Sequence, residues 1–383
     1  MENKKIIYKQ KVKNVLGLLS DKGLKYFILN GYNDISPDTD IDIAVNDLSK
    51  FKKYISELDF KIVQEFHHSP YAMNIFFMYE NEIFNFDIYT KYFHKNYTFF
   101  DFRRYISKAR DIDGLKIIPV EIESSYFFKK RSIKKDFDKK KDEFNKIVKP
   151  NSKNKLPSGY FDIYGIFLNI LRIYLRALKP NGLCIAVLGV DGSGKSTLIK
   201  SINNNCSKLF RTTHNFHLKP RLIGQKAKGK AISNPLNKKP YHFFMSLAKL
   251  FLTWIDYFLG YFVLIYPKKI RSGLVIFDRY KQDLYVSPER FRISRTNSYF
   301  LKMLYRFMPN ADFVIFLKGD PKKIFARKCE ISIDEIISQQ EKFKDLIVKN
   351  KNYVILDTVS NNEEAINQLA YDAIINFIKK RYS

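Results

Sequence analysis

Positions 189–196 read Gly189-Val190-Asp191-Gly192-Ser193-Gly194-Lys195-Ser196, and these residue types in this order suit one task, holding phosphate oxygens. The glycines free the main chain of Cβ atoms, so that successive backbone N–H groups can turn inward around an anion. Lys195 brings a flexible positive charge to the outer phosphates of a nucleoside triphosphate, and the Ser196 hydroxyl is placed to ligate Mg2+. Thr197 continues into a helix whose positive end faces the same oxygens. Every fixed position of G-x-x-x-x-G-K-[ST] is filled, and an apolar run, LCIAVLG, precedes it as a strand should.

Two further groups bear on the same chemistry. Asp278 and Arg279 close the apolar run LVIFDRY. At the carboxyl end of a buried strand, Asp278 can organise a magnesium shell or accept a proton, and Arg279 can grip an anion bidentately. Arg327 and Lys328 follow the strand-like ADFVIFLKGD on a helix. Their charges suit a transferring phosphoryl group, or equally an ordinary exposed helix face. In the N-terminal third, Asp40 and Asp42 stand two apart in DIDIAV, with Asp87 in FNFDIYT. Residues two apart on a strand share a face. The three carboxylates can therefore form a two-metal site, while alternation with Ile41 and Ile43 fits a half-buried edge strand as well.

The elements that must position these groups fall into three regions. Residues 1–125 mix an opening helix (12–23) with strands at 25–30, 40–45, 72–79, 82–89 and 115–120, an α+β pattern. Residues 126–180 form a basic connector, broken at Pro150, Pro157 and Gly159 and ending in a helix over 161–178. Residues 181–383 alternate strand and helix, the pattern of a parallel sheet flanked by helices. The expected fold class is α/β, with this phosphate-binding domain preceded by an α+β domain.

The chain has 67 Lys+Arg against 39 Asp+Glu, a net charge of +28, in 383 residues. Such a field attracts nucleotides, sugar phosphates, nucleic acid or anionic lipid, although a Lys-, Asn- and Ile-rich composition accounts for it equally. Cys184, Cys206 and Cys329 have no metal-binding spacing, and their odd number argues against a disulfide framework. The first residues lack the apolar core of a signal peptide, so the expected compartment is the cytoplasm. Residues 243–266 are nearly long enough to span a bilayer. Lys249 and Asp256 interrupt them on one helical face, which leaves three readings: a buried helix, a surface resting on a membrane, or a span.

GVDGSGKST, FDRY and MPNADFVIFLKGDPKKIFARK together resemble the thymidylate kinase family over roughly residues 183–380. The resemblance implies a P-loop kinase fold that uses ATP and Mg2+. It gives Asp191 the place of the loop's acidic residue, Arg279 a contact with the acceptor's phosphate, and Arg327 a place on the lid. Asp283, Arg290 and Arg292 in DRYKQDLYVSPERFR depart from the family pattern. With the apolar insert, they look more like divergent thymidylate-kinase-like proteins associated with bacterial surface polysaccharides. The N-terminal region resembles the nucleotidyltransferase fold through Asn30-Gly31-Tyr32, Asp40, Asp42 and Asp87. It departs from that fold at Gly31-Tyr32, where Gly-Ser or Gly-Gly is usual.

Three functions follow as expectations. The first is an ATP- and Mg2+-dependent phosphotransferase acting on a nucleoside monophosphate or a sugar or polyol acceptor. The second is a nucleotidyltransferase with a P-loop regulatory domain. The third is a nucleotide-responsive protein without catalysis, held at an anionic membrane surface. Nucleic acid ranks below these partners because no RNA- or DNA-reading module is visible. The acceptor and the oligomeric state stay open.

Overall fold

The structure, a computed structural model, describes residues 2–134, 158–222, 240–327, 329 and 331–382. Residues 135–157 of the stretch read as a connector, and Lys328, lie outside the described residues. The chain divides into two compact units, Met1–Arg176 with Tyr382–Ser383, and Ala177–Arg381.

The first unit opens with α1 (Glu2–Asp21), which begins ten residues earlier than expected. Tyr8, Val12, Val15, Leu16 and Leu19 are all buried. Their three- and four-residue spacing makes one apolar stripe, so packing carries the helix back through the Lys-rich start. Strands β1 (Tyr26–Asn30), β2 (Ile41–Val45), β3 (Lys61–Ser69), β4 (Ala72–Tyr79) and β5 (Glu82–Tyr89) follow, with α2 (Leu48–Glu57) between β2 and β3. Next come β6 (Lys91–His94), β7 (Tyr97–Asp101), β8 (Arg110–Ile112), β9 (Leu115–Ile117), α3 (Val120–Lys134), β10 (Tyr160–Phe161) and α4 (Ile163–Leu178). The strand expected over 115–120 stops at Ile117. Pro119 lacks a ladder N–H, and its carbonyl accepts from Ile122 and Glu123 as α3 begins.

Seven strands form a mixed sheet in the order β3-β4-β5-β2-β1-β9-β8, and a smaller sheet runs β10-β7-β6. β2 is antiparallel to β1 and parallel to β5, and the parallel register sets Asp42 directly opposite Asp87. Phe51, Phe77, Phe84 and Phe86 fill the core beneath α1 and α2.

The second unit is an α/β layer structure with a parallel sheet flanked by helices. Its strands are β11 (Leu183–Leu188), β12 (Thr212–His217), β13 (Gly273–Asp278), β14 (Phe313–Lys318) and β15 (Tyr353–Asp357). Their order is β12-β13-β11-β14-β15, and every pairing is parallel. β11 is buried throughout, as a strand covered on both faces must be. The helices are α5 (Lys195–Cys206), α6 (Phe243–Ile270), α7 (Lys281–Val286), α8 (Ser298–Phe307), α9 (Pro321–Arg327), α10 (Ile333–Ile347) and α11 (Glu363–Lys379).

α6 is long and apolar enough to cross a membrane by length and composition. One face of it is part of the unit's core, through Leu250, Tyr257 and Ile265. Asp256 on that face is fully buried; it pairs with Lys219 at 2.9 Å and accepts the Leu222 N–H at 2.6 Å. A buried carboxylate held this way costs far less than a bare one.

Candidate functional site

The phosphate loop joins β11 to α5 at the carboxyl edge of the parallel sheet. Gly189, Gly192 and Gly194 take φ of +153°, +88° and +97°, a region that side-chain-bearing residues avoid. A Cβ at Gly189 would lie 2.5 Å from Ser193 Oγ and 3.0 Å from the Leu317 carbonyl, so the turn leaves no room for one. Lys195 is buried and donates from Nζ to the carbonyls of Gly189 and Val190, both at 2.9 Å. Burial, with the Arg279 charge nearby, lowers its pKa to about 8. Ser193 Oγ is buried without a hydrogen-bond partner. Ser196 and Thr197 are exposed on the first turn of α5.

Asp278 ends β13 beside the loop strand, in register with Val187. Its Oδ1 is buried and has no hydrogen-bond partner. Arg279 follows with φ +69°, a strained conformation for a side-chain-bearing residue, and its N–H donates to the Val187 carbonyl at 3.1 Å. Its guanidinium, expected to grip an anion, bridges two carboxylates here. Nη1 donates to Asp283 Oδ1 at 2.5 Å and Nη2 to Asp191 Oδ1. Arg290 donates to the other Asp191 oxygen. Burial alone would raise Asp191, but Arg279, Lys195 and Arg290 hold it well below the usual carboxylate range. Asp283 is fully buried, and that burial pushes its pKa up despite Arg279. Arg292 lies over the Tyr241 ring, 3.7 Å from its centroid.

Arg327 closes the other side, its Nη1 3.4 Å from the Gly192 carbonyl. Beside it opens a cavity of about 260 Å3, lined by Gly194, Thr197, Arg327, Asn361, Asn367 and others. The asparagines come from the segment after β15 and from α11, which no local motif marked. Asp278, Arg279 and Arg327 thus gather around the loop that carries Asp191 and Lys195.

In the first unit, ligand oxygens of Asp40, Asp42 and Asp87 all lie within 4.8 Å of one another. Asp40 is exposed and Asp42 buried. The Tyr89 hydroxyl donates to Asp87 Oδ2 at 2.7 Å, and His68 Nδ1 stands 3.5 Å from Oδ1. Burial and the Asp42 carboxylate push the Asp87 pKa up to about 7. Lys130 of α3, itself buried, donates to Asp42 Oδ2 at 2.5 Å. A cavity of about 240 Å3 lies alongside, lined by Gly31, Thr39, Asp40, Asp42 and Arg131. Gly31 has φ +74°, and the Tyr32 hydroxyl donates to Glu123 of α3 at 2.8 Å. Lys130 and Arg131 went unnoticed in the sequence because they sit in a Lys-rich run. The available signal was their place at the end of the apolar-faced helix that includes Tyr126 and Phe127.

No protein-family model matches the chain, and no curated protein sequence does. Among solved structures, a thymidylate kinase from Ehrlichia chaffeensis matches 51% of this chain and 99% of its own length, at 15% identity and TM-score 0.34. A thymidylate kinase from Candida albicans matches 52% of this chain and 93% of its own, at 14% identity and TM-score 0.40.

Proposed function

We propose that the second unit transfers the γ-phosphoryl group of ATP to a small acceptor, either a nucleoside monophosphate or a sugar or polyol. The observation that carries this reading is the loop itself. Three of its glycines hold positive φ, a Cβ at Gly189 would strike Ser193 Oγ, and the Lys195 ammonium is held on the loop's own carbonyls. An incoming triphosphate would replace the Gly189 and Val190 carbonyls as partners of that ammonium. The neighbouring cavity bounded by Thr197, Arg327 and Asn361 would take the donor's base and sugar.

The reaction breaks the bond between the γ-phosphorus and the bridging oxygen and forms one to the acceptor oxygen; ADP leaves, and where the acceptor is a hydroxyl its proton passes to the Asp278 carboxylate. Ser196 and the free oxygen of Asp278 fit a hard cation. Magnesium, when bound, neutralises charge across the β- and γ-phosphates. Lys195 and Arg327 stabilise the charge spread over the transferring group. Arg279 and Arg290, released in part from Asp191, would meet an anionic or polyhydroxylated acceptor.

The test is acceptor-dependent ADP formation across nucleoside monophosphates, sugar phosphates and alditols. Lys195→Ala should lower it by about 100-fold or more without changing the melting temperature, and chelating magnesium should abolish it. Undiminished turnover in Lys195→Ala would defeat the assignment.

A second reading belongs to the first unit, where Asp40, Asp42 and Asp87 converge beside a cavity. That arrangement suits nucleotidyl transfer, with two metals between carboxylates and a triphosphate. It predicts pyrophosphate release from a nucleoside triphosphate, lost in Asp42→Asn. ADP formation with no pyrophosphate under any acceptor would count against it.

A further inference from the structure

Helix α4 is amphipathic in an inverted sense. Gly165, Asn169, Arg172 and Arg176 recur at four-, three- and four-residue steps and so share one face. That face is the one turned onto the first unit. A Cβ at Gly165 would lie 2.8 Å from the Phe93 ring. Arg172 donates to the His67 carbonyl at 2.6 Å and to Asn169 Oδ1 at 2.7 Å, and Arg176 reaches the same His67 carbonyl. The opposite face carries Ile163, Tyr164, Phe167, Ile170, Leu171, Ile173, Tyr174, Leu175 and Leu178, all between 41% and 73% exposed. At 3.6 residues per turn they sweep an arc of about 200°. Tyr160 and Phe161, just before the helix, are exposed as well. An apolar surface this continuous is far from a chance scatter of single residues.

Its charge surroundings suit an anionic lipid surface. From Tyr160 to Lys179 the only carboxylate is Asp162. Asp162 is buried; it accepts from Thr98 Oγ1 at 2.8 Å and the Gly165 N–H at 2.7 Å, with Lys91 at 3.7 Å. No exposed negative charge on this stretch would therefore repel an anionic surface, while Lys179 is exposed at the helix end and the whole chain carries +28. Tyr160, Tyr164 and Tyr174 are the kind of side chain that settles at the headgroup boundary.

The second unit, considered by itself, repeats the character. Phe244, Phe251 and Phe262 of α6 are exposed. On α8, which packs against α6, Tyr299, Met303 and Phe307 form an exposed stripe with Lys302 and Arg306 exposed beside it.

We propose that the outer face of α4 docks on a lipid bilayer bearing anionic headgroups, lying in the interface without crossing it. The proposal is independent of either catalytic reading.

The test is co-sedimentation of the full chain with vesicles of phosphatidylcholine alone and of phosphatidylcholine mixed with phosphatidylglycerol. Binding should favour the anionic vesicles, weaken as salt rises, and fall by roughly tenfold or more in Phe167→Glu/Ile170→Glu. Both positions are exposed, so the variant should keep the wild-type melting temperature and ATP consumption. Tyr299→Glu on α8, which leaves α4 untouched, should bind the anionic vesicles as the wild type does. Absence of vesicle binding, indifference to headgroup charge, or full binding by the double variant would overturn the proposal. So would concentration-dependent self-association without lipid that the double variant abolishes, since the face would then be covered by a second copy.

Discussion

Asp191 of the glycine-rich loop is clasped between Arg279 and Arg290. Each guanidinium has five N–H groups, and Arg279 divides its own between Asp191 and Asp283. An acceptor with its own anionic group can therefore share or displace Asp191. Asp191→Asn removes that competing charge and should lower the acceptor KM by roughly 10-fold while changing the ATP KM less. Steady-state kinetics with each substrate varied in turn would check this, and equal changes in both would assign Asp191 to Lys195, 3.7 Å away. At Gly189, φ +153° and the close Leu317 carbonyl predict that alanine costs about 1–3 kcal/mol of stability, measurable by urea unfolding. The residue types of the loop were legible because each answers to a local rule. The clasp was not: Arg279 and Arg290 stand 88 and 99 positions from Asp191, and only the fold joins them.

Elements differ in how plainly their residues announced them. β4 and β5 run over the same residues as the apolar stretches 72–79 and 82–89. Their alternation and the Glu80-Asn81 turn, with both φ values positive, are local signals. β12, TTHNFH, went unread because it is a polar edge strand exposed along much of its length, and its pairing with β13 alone makes it a strand. α4 showed its apolar arc but not which way it faced, since periodicity gives the stripe and not the direction. α7 supplies a pH test. Lys281 is buried and donates to the Met308 carbonyl at 2.6 Å and the Tyr305 carbonyl at 3.3 Å, and burial lowers its pKa to about 8. The unfolded chain then binds more protons than the folded one between about pH 8 and the ordinary lysine value. Stability from this residue is thus diminished below pH 8 and recovers as pH rises through that window. Lys281→Met should remove that rise, seen as a flatter difference in urea midpoint between pH 8 and 10.

At the scale of the whole molecule, two compact units each carry a cluster of charged side chains beside a cavity. One is a glycine cradle with lysine and arginine, the other three carboxylates with Lys130 beside them. The α/β class and the parallel sheet were readable from the alternation of apolar strands and helices after residue 180. The mixed seven-stranded sheet was readable only in part, because β3 carries Gln64, Glu65, His67 and His68 in no clean alternation and β8 is only three residues long. The central claim is that the loop from Gly189 to Ser196 holds the triphosphate. The most direct measurement is a calorimetric titration of a non-hydrolysable ATP analogue with magnesium into the full chain, its Lys195→Ala variant and its Asp42→Asn variant. Saturable binding that survives Asp42→Asn and disappears in Lys195→Ala is the predicted result; binding that survives Lys195→Ala and disappears in Asp42→Asn would contradict it.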